Sequence, residues 1–138
     1  MAAALDVLPY RHVLTLPNEP GAVRLARETA QQALTEWGIG LHRTVVDAAL
    51  LMLSELVTNS VRHAAEMSPQ ITVMYTASGS RLALAVHDRH PYQPPLPRAD
   101  TVTGGGLGTV MELTRQHGGT AAVHGDADGK TIWINLPL

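Results

Sequence analysis

The surest periodic pattern in the chain runs from Arg43 to Ala65. There RTVVDAALLMLSELVTNSVRHAA holds no proline or glycine, and Val46, Ala49, Leu50, Leu53, Leu56, Val57 and Ala64 recur at three- and four-residue steps. Apolar residues at that spacing line one face of a helix, so a long amphipathic helix is predicted. Upstream, NEPGAVRLARETAQQALTEWGIG opens on capping-type residues, continues with helix formers and meets Gly38 just past Trp37. A helix over about 20–37 follows from those signals. VLTL at 13–16 is β-prone and stops at Pro17, which has no N–H to give a ladder, and this predicts a short first strand.

ITVMYT and LALAVH flank the turn residues ASGS, while TAAVH and TIWINL flank the acid- and glycine-rich GDADGK. Each pair reads as a β-hairpin. Between them, PYQPPLPRADTVT at 91–103 has four of the nine prolines and no period, which predicts a loop. GGGLG at 104–108 then opens a helix-compatible run to about His117, where two glycines stop it. The order strand, two helices, hairpin, loop, helix, hairpin has no βαβ alternation. It predicts an α+β, two-layer sandwich with a mixed, largely antiparallel sheet and its helices on one face.

Composition narrows the class. At 138 residues, 45% apolar and 16% charged, the chain is expected to form one globular domain over 1–138, with its core about 13–137. Ten basic against twelve acidic side chains leave a net charge of -2, which argues against sequence-independent nucleic-acid binding. The absence of cysteine excludes disulfides, thiolate nucleophiles and zinc-thiolate clusters. The opening MAAALDVLPYRH has neither a basic n-region nor a long apolar h-region, and no apolar stretch approaches the roughly 18 residues of a membrane span, so a cytoplasmic domain without membrane contact is expected. Two Trp, three Tyr and no Phe are too few for a stacking platform, and Trp37 and Trp133 read as packing residues.

Candidate chemistry gathers at three places. On the long helix, Glu55, Asn59, Arg62 and His63 fall within about one third of the circumference, opposite the apolar face. A solvated face accounts for such a stripe. A carboxylate one turn before an amide oxygen also suits a hard cation or an activated nucleophile. Asp88 ends the run LALAVH beside the proline-rich loop, either as a turn-initiating aspartate or as a site residue at a strand end. His87 and His90 flank it, but neighbouring strand residues point to opposite faces, which disfavours a metal site. Gly104, Gly105, Gly106 and Gly108 before a helix suit a polyphosphate, or an ordinary turn. Gly129-Lys130-Thr131 imitates the end of a Walker loop, but His124 stands where that loop needs glycine and a strand follows where it needs a helix. No glycine-flanked serine marks a nucleophile, so Ser54, Ser60, Ser78 and Ser80 are poor candidates.

Taken together, SELVTNSVRHA at 54–64, Asp88 closing a strand, GGGLG before a helix and GKTIW in the last hairpin resemble the GHKL (Bergerat-fold) ATP-binding superfamily. Within it the chain is most similar to the small anti-sigma-factor serine/threonine kinases, over nearly its whole length. The resemblance implies ATP and Mg2+ as cofactors. It implies that Asn59 holds the magnesium and hence the phosphates, that Glu55 is the general base, and that Asp88 hydrogen-bonds the adenine amino group with Thr131 supporting the same base. Backbone amides at Gly104, Gly106, Leu107 and Gly108 would meet the phosphates, and His63 matches the basic position closing the helix motif. Arg89, His90, Pro91 and Tyr92 depart from the glycines that usually follow the aspartate, which implies a stiffer pocket floor.

The implied function is an ATP-dependent protein kinase regulating transcription by partner switching, with a sigma factor and an antagonist protein as partners, and a homodimer as the implied assembly. With no phosphoacceptor-histidine helix, a complete sensor kinase is not expected. Two alternatives stand beside it: a non-catalytic, nucleotide-gated protein-binding module, and a structural α+β domain with no ligand.

Overall fold

Strand register decides which side chains meet the helices and which are left on the far face. The computed structural model describes residues 9–90 and 106–138. Its elements are β1 (Tyr10–Pro17), α1 (Gly21–Glu36), α2 (Thr44–Ala64), β2 (Gln70–Ala77), β3 (Arg81–Asp88), α3 (Gly106–Gln116), β4 (Thr120–Asp126) and β5 (Gly129–Pro137). The expected loop at 91–103 lies outside the described residues.

The five strands form one sheet in the order β1-β2-β3-β5-β4, and every neighbouring pair is antiparallel. The two hairpins therefore meet through β3 and β5, with β4 at an outer edge and β1 at the other. β1 extends further toward the N-terminus than VLTL predicts, because backbone pairing with β2 also enlists Tyr10, Arg11 and His12. Ladder hydrogen bonds need no apolar side chain, so polarity at those positions hides the strand.

Period-two alternation sends Ile71, Val73 and Tyr75 of β2, Leu82, Leu84 and Val86 of β3, and Ile132, Ile134 and Leu136 of β5 to one face. There they join Leu53, Leu56 and Val57 of α2 in a single core. Each large side chain so buried contributes about 1.5–3 kcal/mol relative to exposure. The helices pack on this face alone. α1 presents Ala22, Ala26, Ala30 and Ala33, all buried, a row of small residues that lets it lie close against its neighbours. It ends before Gly38, whose φ of 75° is the left-handed conformation glycine adopts without strain. Tyr75 reaches up from the sheet and donates its hydroxyl to the Ala26 carbonyl at 2.6 Å, and burial raises its pKa.

By length and apolar content α2 meets the minimum for a membrane span, against the expectation that no stretch comes near it. Its buried residues, from Val45 and Val46 through Leu53, Leu56 and Val57 to Ala64, are instead taken up by the core. The opposite face of the sheet carries an apolar row running across all five strands, Val13, Met74, Ala85, Trp133 and Ala122. Trp133 is half-buried within that row, and Trp37 stacks on Tyr10 at a centroid distance of 5.6 Å.

Candidate functional site

The last turns of α2 meet the end of β3 and the start of β5 through Ser60, Asp88 and Lys130. The polar stripe on α2 is graded. Glu55 and Asn59 are half-buried, whereas Arg62 and His63 are exposed. Neither Glu55 nor Asn59 has a side-chain hydrogen bond among the described residues, although a helical step of four sets their Cβ atoms only about 6 Å apart. Partly desolvated polar groups left without a partner are open to a ligand. The neighbouring Ser54, by contrast, is spent on its own helix, donating to the Leu50 carbonyl at 3.0 Å.

One residue beyond Asn59, Ser60 points the other way, into the sheet. Its hydroxyl donates to Asp88 Oδ2 at 2.6 Å. Lys130 stands directly opposite Asp88 in the β3/β5 register, and its Nζ lies 2.7 Å from Oδ1 and 2.6 Å from Oδ2. The His90 backbone N–H completes the set on Oδ1 at 3.0 Å. Asp88, Lys130 and Ser60 are 1%, 4% and 3% exposed, so this is an interior ion pair in which every charge depends on its partner. Gly129, with φ of 129°, makes the approach possible: a methyl group there would run into the Asp88 carbonyl oxygen and lie 2.6 Å from Arg89 Cα.

A second layer fixes this corner. Ser68 Oγ accepts from the Arg89 N–H at 2.9 Å and donates to the Gln70 carbonyl at 2.6 Å. Asn18 Nδ2 donates to the carbonyls of Ser68 at 2.9 Å and Ser60 at 3.3 Å. The end of β1, the start of β2 and the last turns of α2 are thereby tied to the end of β3.

Gly106, Leu107 and Gly108 form the first turn of α3, where backbone N–H groups have no partner inside the helix and carry the positive end of its dipole. α3 is held against α2 by buried Val110 and by Thr114, whose hydroxyl lies 3.4 Å from Met52 Sδ. Gly104 lies outside the described residues.

Thr131 is not brought to this corner. On β5 it alternates with Lys130, so it faces away from the helices, its hydroxyl 3.0 Å from His87 Nδ1. His87 and Asp88 likewise point to opposite faces, and among the described residues no three His, Cys, Asp or Glu side chains gather as a metal site. A magnesium ion at Asn59 would take one protein oxygen and complete its shell from phosphates and water, a donor set typical of that ion. The Asn59 amide, half-buried and without a side-chain partner among the described residues, fits such a ligand.

Sequence reasoning missed Lys130 and Ser60. Lys130 shares strand parity with Ile132, Ile134 and Leu136, and a charged residue on the apolar parity of a strand was the available signal. Ser60 offered none, since its role depends on which element α2 covers.

The model for the histidine kinase-like ATPase domain matches residues 16–135. No curated protein matches the chain. Among solved structures, the RsbU and RsbW domains of Rv1364c from Mycobacterium tuberculosis superpose with a TM-score of 0.63 at 20% identity, covering 92% of this chain and 31% of that one. The histidine kinase domain of the Erythrobacter litoralis EL346 blue-light activated histidine kinase superposes with a TM-score of 0.52 at 23% identity, covering 68% of this chain and 45% of that one. The chain thus spans less than half the length of either structure, and both likenesses are of fold. With the α+β sandwich, the order of its elements and a family match over most of its length, the chain belongs to the histidine kinase-like ATPase domains.

Proposed function

We propose that the chain binds ATP with Mg2+ and transfers the γ-phosphoryl group to a serine or threonine of a small antagonist protein, in the manner of an anti-sigma-factor kinase. The observation that carries this reading is the pair Glu55 and Asn59, half-buried, one helical turn apart and without partners among the described residues. In this reading the Asn59 side-chain oxygen holds the magnesium ion. Bound there, the ion neutralises charge on the phosphates. The first-turn amides of α3 at Gly106, Leu107 and Gly108 bind phosphate oxygens, with Gly104 and His63 as further phosphate contacts. Glu55 takes the proton from the attacking hydroxyl, a role that contributes about 10²- to 10⁴-fold. The remaining catalysis is positioning and charge stabilisation, which dominate phosphoryl transfer. Asp88 lies at the base end of the site.

Incubation with γ-labelled ATP, Mg2+ and candidate antagonist proteins tests the reading. Label on a serine or threonine of the antagonist is expected, and its appearance should require Glu55.

A second reading, a nucleotide-gated module that binds partners without phosphorylating them, draws support from the Asp88–Lys130 ion pair, which changes the base end of the site. Nucleotide binding without label transfer to any candidate would favour it. In either case a sigma factor, an antagonist and a second copy of the chain are the proposed partners.

A further inference from the structure

A carboxylate has about four acceptor positions, two on each oxygen. In Asp88 all four are filled by the chain itself. Oδ1 accepts from Lys130 Nζ at 2.7 Å and from the His90 N–H at 3.0 Å. Oδ2 accepts from Lys130 Nζ at 2.6 Å and from Ser60 Oγ at 2.6 Å. An exocyclic amine on a purine is a donor and would need one of these positions. Freeing one means separating charges that are 1% and 4% exposed, and removing one partner of such a buried pair is strongly unfavourable.

The ammonium group of Lys130 has three N–H donors, and two of them are committed to Asp88. Its third has no partner among the described residues. What this corner offers a base is therefore a donor, where an unpaired aspartate would offer an acceptor. A 6-oxo group accepts from such a donor and a 6-amino group, itself a donor, does not, so nothing at this corner favours the 6-amino purine.

From this we infer that Lys130 is a specificity-determining residue of the nucleotide site, and that by saturating Asp88 it removes the preference for 6-amino over 6-oxo purine nucleoside triphosphates. The inference rests on the nucleotide-binding reading above. Gly129 and Ser60 are its accessories: the first lets β5 approach the end of β3, and the second fills the acceptor position that Lys130 leaves.

Titration of the wild-type chain with ATP and with inosine triphosphate, each with Mg2+, tests it, because the two nucleotides differ only at position 6 and in the N1 proton that accompanies it. Inosine triphosphate is expected to bind no more than about threefold more weakly than ATP. A site whose buried carboxylate reads the amine would prefer ATP by at least about tenfold, since the charged hydrogen bond lost with inosine triphosphate contributes about 1.5–3 kcal/mol. That preference in the wild type would overturn the inference while leaving nucleotide binding intact. Binding of neither nucleotide would overturn the nucleotide reading and the inference with it. Lys130→Met, where its circular dichroism remains native, should gain a preference for ATP of about tenfold or more. A folded Lys130→Met chain that gains no preference for ATP would remove Lys130 from the role, and if this variant fails to fold the wild-type comparison decides.

Discussion

Lys130 and Asp88 face each other across the β3/β5 ladder, 42 residues apart in sequence, with the ammonium group within 2.7 Å of both carboxylate oxygens and almost no solvent reaching either. Buried pairs of this kind add little net stability over an apolar pair, yet losing one partner strands the other charge. Lys130→Met should therefore lower unfolding free energy by about 3–5 kcal/mol. Adding Asp88→Asn should restore most of that, because the uncompensated charge is gone while an oxygen remains for Ser60. Urea unfolding of the single and double variants measures both effects.

Gly129 holds a conformation and a space that no other residue fits. Gly129→Ala should destabilise by about 2–3 kcal/mol, from positive φ together with the collision against the backbone of Asp88 and Arg89. Gly21→Ala, where the added methyl meets nothing within 4 Å, serves as the control and should change stability by less than about 0.5 kcal/mol.

Tyr75 links stability to alkaline pH. Burial raises its pKa above the ordinary 10.0, so the folded state keeps the phenol proton that the unfolded chain has begun to release. Its contribution is complete below pH 10 and is lost as pH rises above that value. Tyr75→Phe removes the hydrogen bond to Ala26 and should cost about 1 kcal/mol at neutral pH. The gap between wild type and variant should then narrow steadily above pH 10, which denaturant titrations across that range would reveal.

Much of the architecture is written in local pattern. The helix read as 43–65 spans Thr44–Ala64, and that read as about 20–37 spans Gly21–Glu36, because apolar periodicity and terminating glycines are properties of adjacent residues. Both hairpins are equally local. The order β1-β2-β3-β5-β4 is not, since it depends on which hairpin edge finds which in three dimensions. The candidate site divides along the same line. Glu55 and Asn59 share a helix, and their spacing alone sets them together. Lys130 and Asp88 meet only once β3 and β5 are in register, and the same register turns Thr131 to the other face. Adjacent positions on a strand look equivalent in sequence until the buried parity is known.

That parity gives a contrast to test. Thr131→Ala should leave ATP affinity within about twofold of wild type, for its hydroxyl meets His87 on the face without helices. Glu55→Gln should also leave affinity nearly unchanged but reduce phosphoryl transfer by about 10²- to 10⁴-fold, as expected for loss of a general base. Equilibrium binding and single-turnover transfer, measured on the same preparations, separate these two outcomes.

The most direct measurement is calorimetric titration of ATP into the wild-type chain and into Asn59→Ala, with and without Mg2+. Saturable, magnesium-dependent binding in the wild type and a loss of about tenfold or more in the variant, the scale of one charged ligand contact, are predicted. Equal binding by the two chains, or magnesium-independent binding in the wild type, would contradict the assignment of Asn59 to the metal.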